Sequence, residues 1–271
     1  MSFSWIRPRW RRGALLVLCA VALQLAGCGS TKDEFAGKTA EKLYADAKED
    51  LDSGSYEKAI KALERVEGLA AGSLLAQQAQ IDIAWAYWKT SEKAQALSTI
   101  ERFIKLNPSS PALDYAMYLR GLINFNDDLG LIGRWAGQDL SERDQRAARD
   151  AYQSFKQLVD QFPQSKYTPE GRARMDYIVN SLANYEVHVA RYYLNRGAYL
   201  AAANRAQQTI TEFQGSPAVE EALFILVQSY DKLELTQLRD DADRVLRKNF
   251  PDSRFLAEGL AARNRPWWKL F

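Results

Sequence analysis

The sequence is poor in the side chains that carry most enzyme chemistry, with one histidine and two cysteines among 271 residues. A single imidazole, His188, excludes a zinc site built on several histidines. A Ser-His-Asp triad is formally possible, but the chain has no G-x-S-x-G nucleophile elbow. Composition leaves open a pair of catalytic carboxylates, for which the sequence offers no context. We therefore predict a protein that is not an enzyme, uses no cofactor or metal, and carries His188 on a helix surface or in a groove.

Both cysteines, Cys19 and Cys28, lie near the N-terminus, where the chain has the features of an export signal. The first 27 residues hold four arginines and no acidic residue, and an apolar stretch runs from Gly13 to Gly27. As a helix this stretch would be about 22 Å long, too short for a hydrocarbon core of about 30 Å. Residues 1–27 are therefore predicted to be a cleaved signal peptide rather than a membrane-spanning helix.

The letters LAGC at residues 25–28 resemble the lipobox of bacterial lipoproteins. The small residues leave the peptide bond open to the peptidase, and the thiolate of Cys28 accepts the lipid. Two or three acyl chains, such as palmitate, then hold the mature protein at the membrane. Gly29 stands where lipoproteins kept in the inner membrane commonly carry aspartate, so we expect the outer membrane, facing the periplasm. The alternative is an ordinary signal followed by a chance cysteine.

Removing the signal changes the charge of the protein. The whole chain has 36 basic and 34 acidic residues, a net charge of +2. Loss of the four arginines leaves 32 basic residues against 34 acidic ones, a net charge of −2. This balance is not that of a nucleic-acid-binding protein. With Cys19 removed and Cys28 lipidated, no disulfide is available, so stability must come from an apolar core.

From about residue 39 the pattern is helical and it repeats. "GSYEKA" at 54–59 returns as "GAYLAA" at 197–202, with a glycine for the turn between two paired helices. These offsets are those of tetratricopeptide repeats, pairs of antiparallel helices of about 34 residues. The sequence thus predicts an all-α superhelix of about five pairs. They span 39–53 with 56–69, 74–89 with 92–106, 111–126 with 143–162, 168–196 with 198–213, and 217–232 with 237–249.

Three segments fall outside the repeats. Residues 28–38 are predicted to be a lipidated, flexible tether, and 127–142 an inserted loop, rich in glycine, that contains Trp135. An aromatic and basic tail covers 255–271. The remaining domains are N-terminal repeats at 39–126 and C-terminal repeats at 143–254. Within the repeats, Ser110-Pro111, Thr168-Pro169 and Ser216-Pro217 are predicted to begin helices, with the hydroxyl as N-cap and proline at the first helical position.

Aromatic residues are the most informative side chains for binding. Trp85, Tyr87 and Trp88 lie on a helix that is apolar on two faces, for which core packing is the favoured role. The alternative is that they line a groove that receives client peptides. In the tail, three aromatic residues lie among basic ones: Trp267, Trp268 and Phe271. The tail could contact the membrane interface, cap its own last repeat, or imitate a client that ends in an aromatic residue.

Several strings together identify the chain as similar to the BamD (also ComL) family, lipoproteins of the outer-membrane barrel-assembly machinery. They are the lipobox, the interrupted third repeat, "RFIKLNPSSP" (102–111), "LDYAMYLRGL" (113–122) and "VARYYLNRGAYLAAANR" (189–205). The resemblance implies a scaffold whose C-terminal repeats bind a POTRA domain of a BamA-like barrel protein. It also implies N-terminal repeats that bind targeting signals of unfolded barrel proteins, and a contact to a further assembly lipoprotein. The partner-binding residues it implies are Arg205, with Arg196 and Tyr199.

Two other functions compete with this interpretation. One is a periplasmic repeat lipoprotein that binds peptidoglycan or coordinates envelope division. The other is an envelope hydrolase, which would need a catalytic domain of about 100 residues outside the repeats, and the chain has no such stretch. The turn after the first repeat, "EGLAAGSLLA" (67–76), also departs from the family pattern, which leaves the client-binding residues open.

Overall fold

The computed structural model describes residues 35–125 and 145–259, and every regular element in these two ranges is a helix. All ten helices of the five predicted pairs are present, and each begins and ends within two residues of its predicted bounds. The all-α repeat fold is therefore confirmed. The helices are Ala40–Asp52 (α1), Tyr56–Leu69 (α2), Leu74–Lys89 (α3), Lys93–Leu106 (α4), Leu113–Asn124 (α5), Gln145–Gln161 (α6), Thr168–Asn195 (α7), Tyr199–Glu212 (α8), Ala218–Lys232 (α9), Thr236–Asn249 (α10) and Arg254–Glu258 (α11).

The pairs stack so that each second helix packs between its own first helix and the first helix of the next pair. First helices also contact one another directly, in α1 with α3, α3 with α5, and α7 with α9. Contacts of comparable extent between successive second helices do not occur in the described ranges. The first helices therefore line the inner side of the stack and the second helices its outer side.

Four of the pairs are closed by the same turn. The residue two positions after the first helix is left-handed, at Gly54, Ser91, Gly197 and Glu234. In each turn the next residue donates its N–H to a carbonyl five residues back, as from Glu92 to Tyr87 at 2.8 Å. This is the hydrogen-bond pattern of a Schellman motif. The sequence predicts the turns at the two glycines. It does not predict those at Ser91 and Glu234, because a left-handed φ favours glycine rather than serine or glutamate.

Ser91 gives a test of this turn. We expect Ser91→Gly to raise the free energy of unfolding by about 0.5–1 kcal/mol, because glycine has no Cβ to strain a φ of +66°. Thr90 is the matched control, since its φ of −86° needs no glycine. Thr90→Gly should lower stability by about 1 kcal/mol. Urea denaturation measures both, and a less stable Ser91→Gly protein would contradict the assignment.

Pairs are joined by a second recurrent turn, built on a serine. In three cases the serine hydroxyl accepts the backbone N–H two residues later, at 3.2–3.3 Å, in Ser110, Ser165 and Ser216. The predicted role of Thr168 as N-cap is therefore wrong. Thr168 lies inside α7, and its hydroxyl donates to the carbonyl of Phe162 at 2.6 Å. Ser110 lies two residues ahead of its N-cap and Ser216 one residue ahead, and of the three prolines only Pro169 lies within its helix.

The ends of the repeat region differ from the predicted boundaries. Phe35 packs against the core formed by the first helix pair and α3, and Lys38 pairs with Asp46 at 2.8 Å. The last residues of the predicted tether therefore belong to the folded part. Similarly, α11 covers the beginning of the predicted tail. The signal peptide, Cys28, the 127–142 loop with Trp135, and Trp267, Trp268 and Phe271 lie outside the described residues. Within the described ranges, no helix combines the length and apolarity needed to cross a membrane.

Small residues let the paired helices approach closely. Gly121 of α5 faces the ring of Phe155 on α6, and a Cβ built on Gly121 would lie 2.4 Å from that ring. Phe155 is fully buried and contacts Tyr118 and Phe125, with ring centroids 6.2 and 6.4 Å apart. The third pair is thus packed directly through a glycine, although residues 125–144 separate its two helices in the chain.

Candidate partner-binding surfaces

Arg205 does not stand alone on α8. Its Nη1 donates to Oε2 of Glu186 on α7 at 2.8 Å. The Glu186 side chain is only 4% exposed, whereas that of Arg205 is 40% exposed. A buried carboxylate needs a partner of this kind, so Arg205 has a structural role. Its guanidinium has further N–H donors and an accessible side, so it can pair with a second carboxylate from outside.

A second arginine in the same region, Arg191, also pairs with a glutamate but is much less exposed to solvent. Arg191 of α7 donates from Nε to Oε1 of Glu221 on α9 at 2.6 Å. The two side chains are 17% and 10% exposed, so this ion pair is enclosed between the two first helices. Arg191 therefore stabilises the contact between pairs four and five, and it is a natural control for Arg205.

Arg196 and Tyr199 meet at the turn between α7 and α8. The Arg196 guanidinium lies 5.3 Å from the ring centroid of Tyr192, one helical turn back, in a cation–π arrangement. Arg196 is exposed and Tyr199 is half-buried. Arg205 follows Tyr199 by about 9 Å along α8. The predicted residues therefore share one hairpin, to which the structure adds Tyr192, 52% exposed, and Glu186.

Trp85, Tyr87 and Trp88 are all half-buried on α3. Trp85 makes an edge-on contact with Tyr56 at 5.8 Å between ring centroids, and it packs against the core clusters of both the first and the second pair. Lys89 places its Nζ 5.6 Å from the rings of both tryptophans. Packing is therefore the evident role of Trp85.

Tyr87 packs against the same two core clusters, and it also borders a cleft of about 460 Å³ between α2, α3 and α4. The cleft is mostly polar: Arg102 lies 3.3 Å from the carboxylate of Glu67, which also accepts from Gln80 at 2.8 Å. Burial raises the pKa of Tyr87, and the carboxylates of Glu64 and Glu92 raise it further. The cleft is lined by Glu64, Glu67, Gly68, Ile83, Tyr87, Thr99 and Arg102.

A buried aspartate joins the first two pairs on their inner side. Asp82 of α3 accepts hydrogen bonds from the Tyr44 hydroxyl at 2.8 Å and from Gln78 at 3.2 Å. Lys48 lies 3.6 Å from the same carboxylate. Burial and the neighbouring Asp82 raise the pKa of Tyr44. Sequence reasoning missed this network, whose only signal is one acidic residue within the apolar string "IDIAWAYWK".

Three tyrosines form a ring cluster in the middle of the stack. Tyr118 of α5 stacks on Tyr167 at 5.0 Å, and Tyr115 lies 5.2 Å from Tyr167. Burial raises the pKa of both Tyr115 and Tyr118 to about 12. The cluster rigidly joins the third pair to the beginning of α7, so the N-terminal and C-terminal halves are connected through aromatic packing.

Side chains that could bind a metal ion do not cluster within the described ranges. His188 lies exposed on α7, as expected for a helix surface. Among the residues that the structure describes, histidine, aspartate and glutamate side chains form no group of three that could hold a metal ion.

Comparison with protein families places these features in context. The family model YfiO, described as an outer membrane lipoprotein, matches residues 36–246. The chain is 45% identical over 261 residues to the outer membrane protein assembly factor BamD of Neisseria meningitidis serogroup B, covering 94% of this chain and 98% of that protein. It is 32% identical over 234 residues to the protein of the same name from Haemophilus influenzae, covering 86% and 89%.

The solved structures that match the chain are less similar in sequence. The MamA protein is 16% identical, with a TM-score of 0.34, over 82% of this chain and 95% of that chain. The Podosopora anserina putative kinesin light chain with TPR-like repeats is 14% identical, with a TM-score of 0.34, over 78% of this chain and 96% of that one.

Proposed function

This chain belongs to the YfiO family of outer membrane lipoproteins, and from that premise we propose how it acts in assembling outer-membrane proteins. Its relatives are named assembly factors, a role that is not enzymatic. We propose that the chain is a scaffold that holds a BamA-like barrel protein through its C-terminal repeats and unfolded clients through its N-terminal repeats. Further assembly lipoproteins would share the N-terminal half.

The observation that carries the first contact is the geometry of Arg205. Its guanidinium is oriented from behind by the buried Glu186, and 40% of its side chain is accessible. A carboxylate on a POTRA domain would pair with the accessible side, which adds a charge-assisted hydrogen bond without the entropy cost of ordering a free arginine. The exposed Arg196–Tyr192 contact and the half-buried Tyr199 lie at the same hairpin and would extend this surface.

Client binding is proposed for the surface around Tyr87. This is the one member of the Trp85, Tyr87, Trp88 set that borders the cleft between α2 and α4. A half-buried aromatic ring beside paired charges can receive an extended peptide through stacking and hydrogen bonds. Trp85 and Trp88 would support that surface from behind.

Attachment to the membrane is proposed through Cys28. Lipid on its sulfur and on the new amino terminus would hold the repeats at the outer membrane, on the periplasmic side. The chain between Cys28 and the first packed residue, Phe35, spans about 25 Å at full extension. The repeats would therefore stay close to the bilayer and to any barrel protein embedded in it.

The test is co-purification of the barrel protein with the full chain from detergent-solubilised membranes. We expect the double variant Glu186→Gln/Arg205→Gln to retain less than about a tenth of the partner, because a fork-like contact to carboxylate is worth about 1.5–3 kcal/mol. The matched control is Arg191→Gln/Glu221→Gln, which removes an equivalent ion pair that no partner can reach. The control should retain the partner, and both variants should bind a client C-terminal peptide as the parent does.

Two results would contradict the proposal. Equal loss of the partner in both variants would mean that Arg205 acts only through the fold. Capture of muropeptides, together with normal porin levels after depletion of the chain, would instead favour the peptidoglycan-binding alternative.

A further inference from the structure

The second helix of each pair ends in a residue whose character changes along the stack. It is leucine in the first two pairs and polar in the other three, in the order Leu69, Leu106, Gln161, Glu212 and Asn249. These positions are equivalent, because each lies four residues before the serine whose N–H donates to the carbonyl three residues back in the following turn. Leu69 and Leu106 are 54% and 64% exposed, so packing within the stack does not account for them.

The exposed leucines lie on one edge of the stack. Because paired helices are antiparallel, the edge where α2 and α4 end is also the edge where α1 and α3 begin. Leu74, the first residue of α3, is 67% exposed there. Arg102 lies 3.3 Å from the carboxylate of Glu67. Since these two residues are within about one turn of Leu106 and Leu69, the two helix ends lie side by side. We call Leu69, Leu74 and Leu106 the leucine rim.

Charge is nearly absent from the two segments that carry the leucine rim. Residues 68–76 and 103–113 together contain one charged side chain, that of Lys105, which is exposed. The turns at the opposite edge of the same two pairs are charged, with three acidic residues in 50–57 and two lysines and a glutamate in 88–95. An exposed apolar edge with one positive charge suits a phospholipid surface, where leucine meets the acyl chains and ammonium meets the headgroups.

The leucine rim also lies on the side of the stack that is closest to the proposed lipid anchor. Phe35, the first packed residue, directly precedes α1, which begins on the same edge. At most about 25 Å of chain separates it from Cys28. We propose that the leucine rim inserts into the phospholipid surface beside the anchor and fixes the orientation of the first two pairs on the bilayer. This inference rests on the proposed attachment through Cys28.

The orientation has a consequence for the cleft that Tyr87 borders. Glu67 and Gly68, which line this cleft, immediately precede Leu69. Contact of the leucine rim with the bilayer would therefore bring the cleft to the membrane surface, close to where a client protein has to insert.

Nitroxide labels on cysteine variants test this proposal on the full mature lipoprotein in vesicles of phosphatidylethanolamine and phosphatidylglycerol. Oxygen concentrates in hydrocarbon and a nickel complex stays in water, so the ratio of their collision rates with the label reports its depth. We expect this ratio at Leu69→Cys, Leu74→Cys and Leu106→Cys to be about tenfold that at Leu200→Cys. Leu200 is the matched control, because it is 63% exposed near the start of α8, on the opposite edge. Thermal unfolding establishes that each variant is folded.

The other outcomes overturn the proposal in distinguishable ways. Equal ratios at the leucine rim and at Leu200→Cys, with Cys28 acylated, would remove this inference and leave the attachment intact. Rim labels that lose collisions with both reagents as protein concentration rises would identify a second copy of the chain as the occupant. Mass spectrometry of the same protein reads the acylation, and an unacylated Cys28 would remove the attachment and this inference with it.

Discussion

Replacing Gly121 by alanine is expected to lower the free energy of unfolding by about 3 kcal/mol. The new Cβ would lie 2.4–2.7 Å from three ring atoms of Phe155. That ring is fully buried and contacts the rings of Tyr118 and Phe125, so it can move only by disturbing them. Either α5 and α6 separate or the ring leaves its rotamer, and both cost packing energy.

Gly68 provides the matched control. It is also a helical glycine, but a Cβ built there meets nothing within 4 Å. Gly68→Ala should therefore raise stability by about 0.5–1 kcal/mol through helix propensity alone. Urea denaturation of both variants measures the two effects, which differ in sign.

A second substitution checks the cause. Phe155→Leu in the Gly121→Ala background should recover part of the lost stability, because the smaller side chain vacates the space that the methyl group enters. Additive losses in this double variant would mean that the clash is not between these two residues.

The second large effect is expected at the Glu186–Arg205 ion pair. Arg205→Ala should lower the free energy of unfolding by about 2 kcal/mol, because it leaves the Glu186 carboxylate, 4% exposed, without its partner. The value is below that of a fully enclosed pair, since water reaches Arg205. Adding Glu186→Gln to this variant removes the buried charge and should restore part of the loss. A urea-denaturation cycle over the four proteins gives the coupling, and a coupling of zero would contradict it.

This ion pair also decides which variants can report on binding. Arg205→Glu would place a second carboxylate beside Glu186, so loss of a partner in that variant would combine a lost contact with a weakened fold. The paired Gln substitutions avoid this, because they remove both charges together and keep hydrogen-bonding groups in place.

Helix boundaries could be predicted because their signals are local. Apolar residues recur with helical spacing, and prolines and turn glycines punctuate them, so every helix of the five pairs lies within two residues of its predicted range. The exceptions arise where backbone geometry is imposed by neighbours. Ser91 and Glu234 adopt a left-handed φ because the hairpin requires it. The residue equivalent to Ser110 and Ser216 is Ser165, three residues before Thr168, and it accepts the N–H of Tyr167 without being the N-cap of α7.

The partners of individual side chains were harder to predict from the sequence. Arg205 could be named from its string, but Glu186 lies 19 residues earlier on another helix, and no local pattern marks an acidic residue as buried. Leu238 and Val245 recur with helical spacing but are 46% and 40% exposed, and Leu246 is the fully buried side chain of α10. Which side of this helix is buried depends on the residues it packs against, and these lie elsewhere in the chain.

Helix α7 has a mechanical consequence. It is unbroken over 28 residues, about 42 Å, and its only proline is at its beginning. Near that beginning, Tyr177 contacts Phe125, the residue at which the chain departs toward 126–144, with ring centroids 5.8 Å apart. Its far end carries Glu186 and the Arg196 hairpin. Because no proline interrupts α7 between Tyr177 and Arg196, a displacement of Phe125 is expected to tilt the helix as a whole. The tilt would move the Glu186–Arg205 pair together with it.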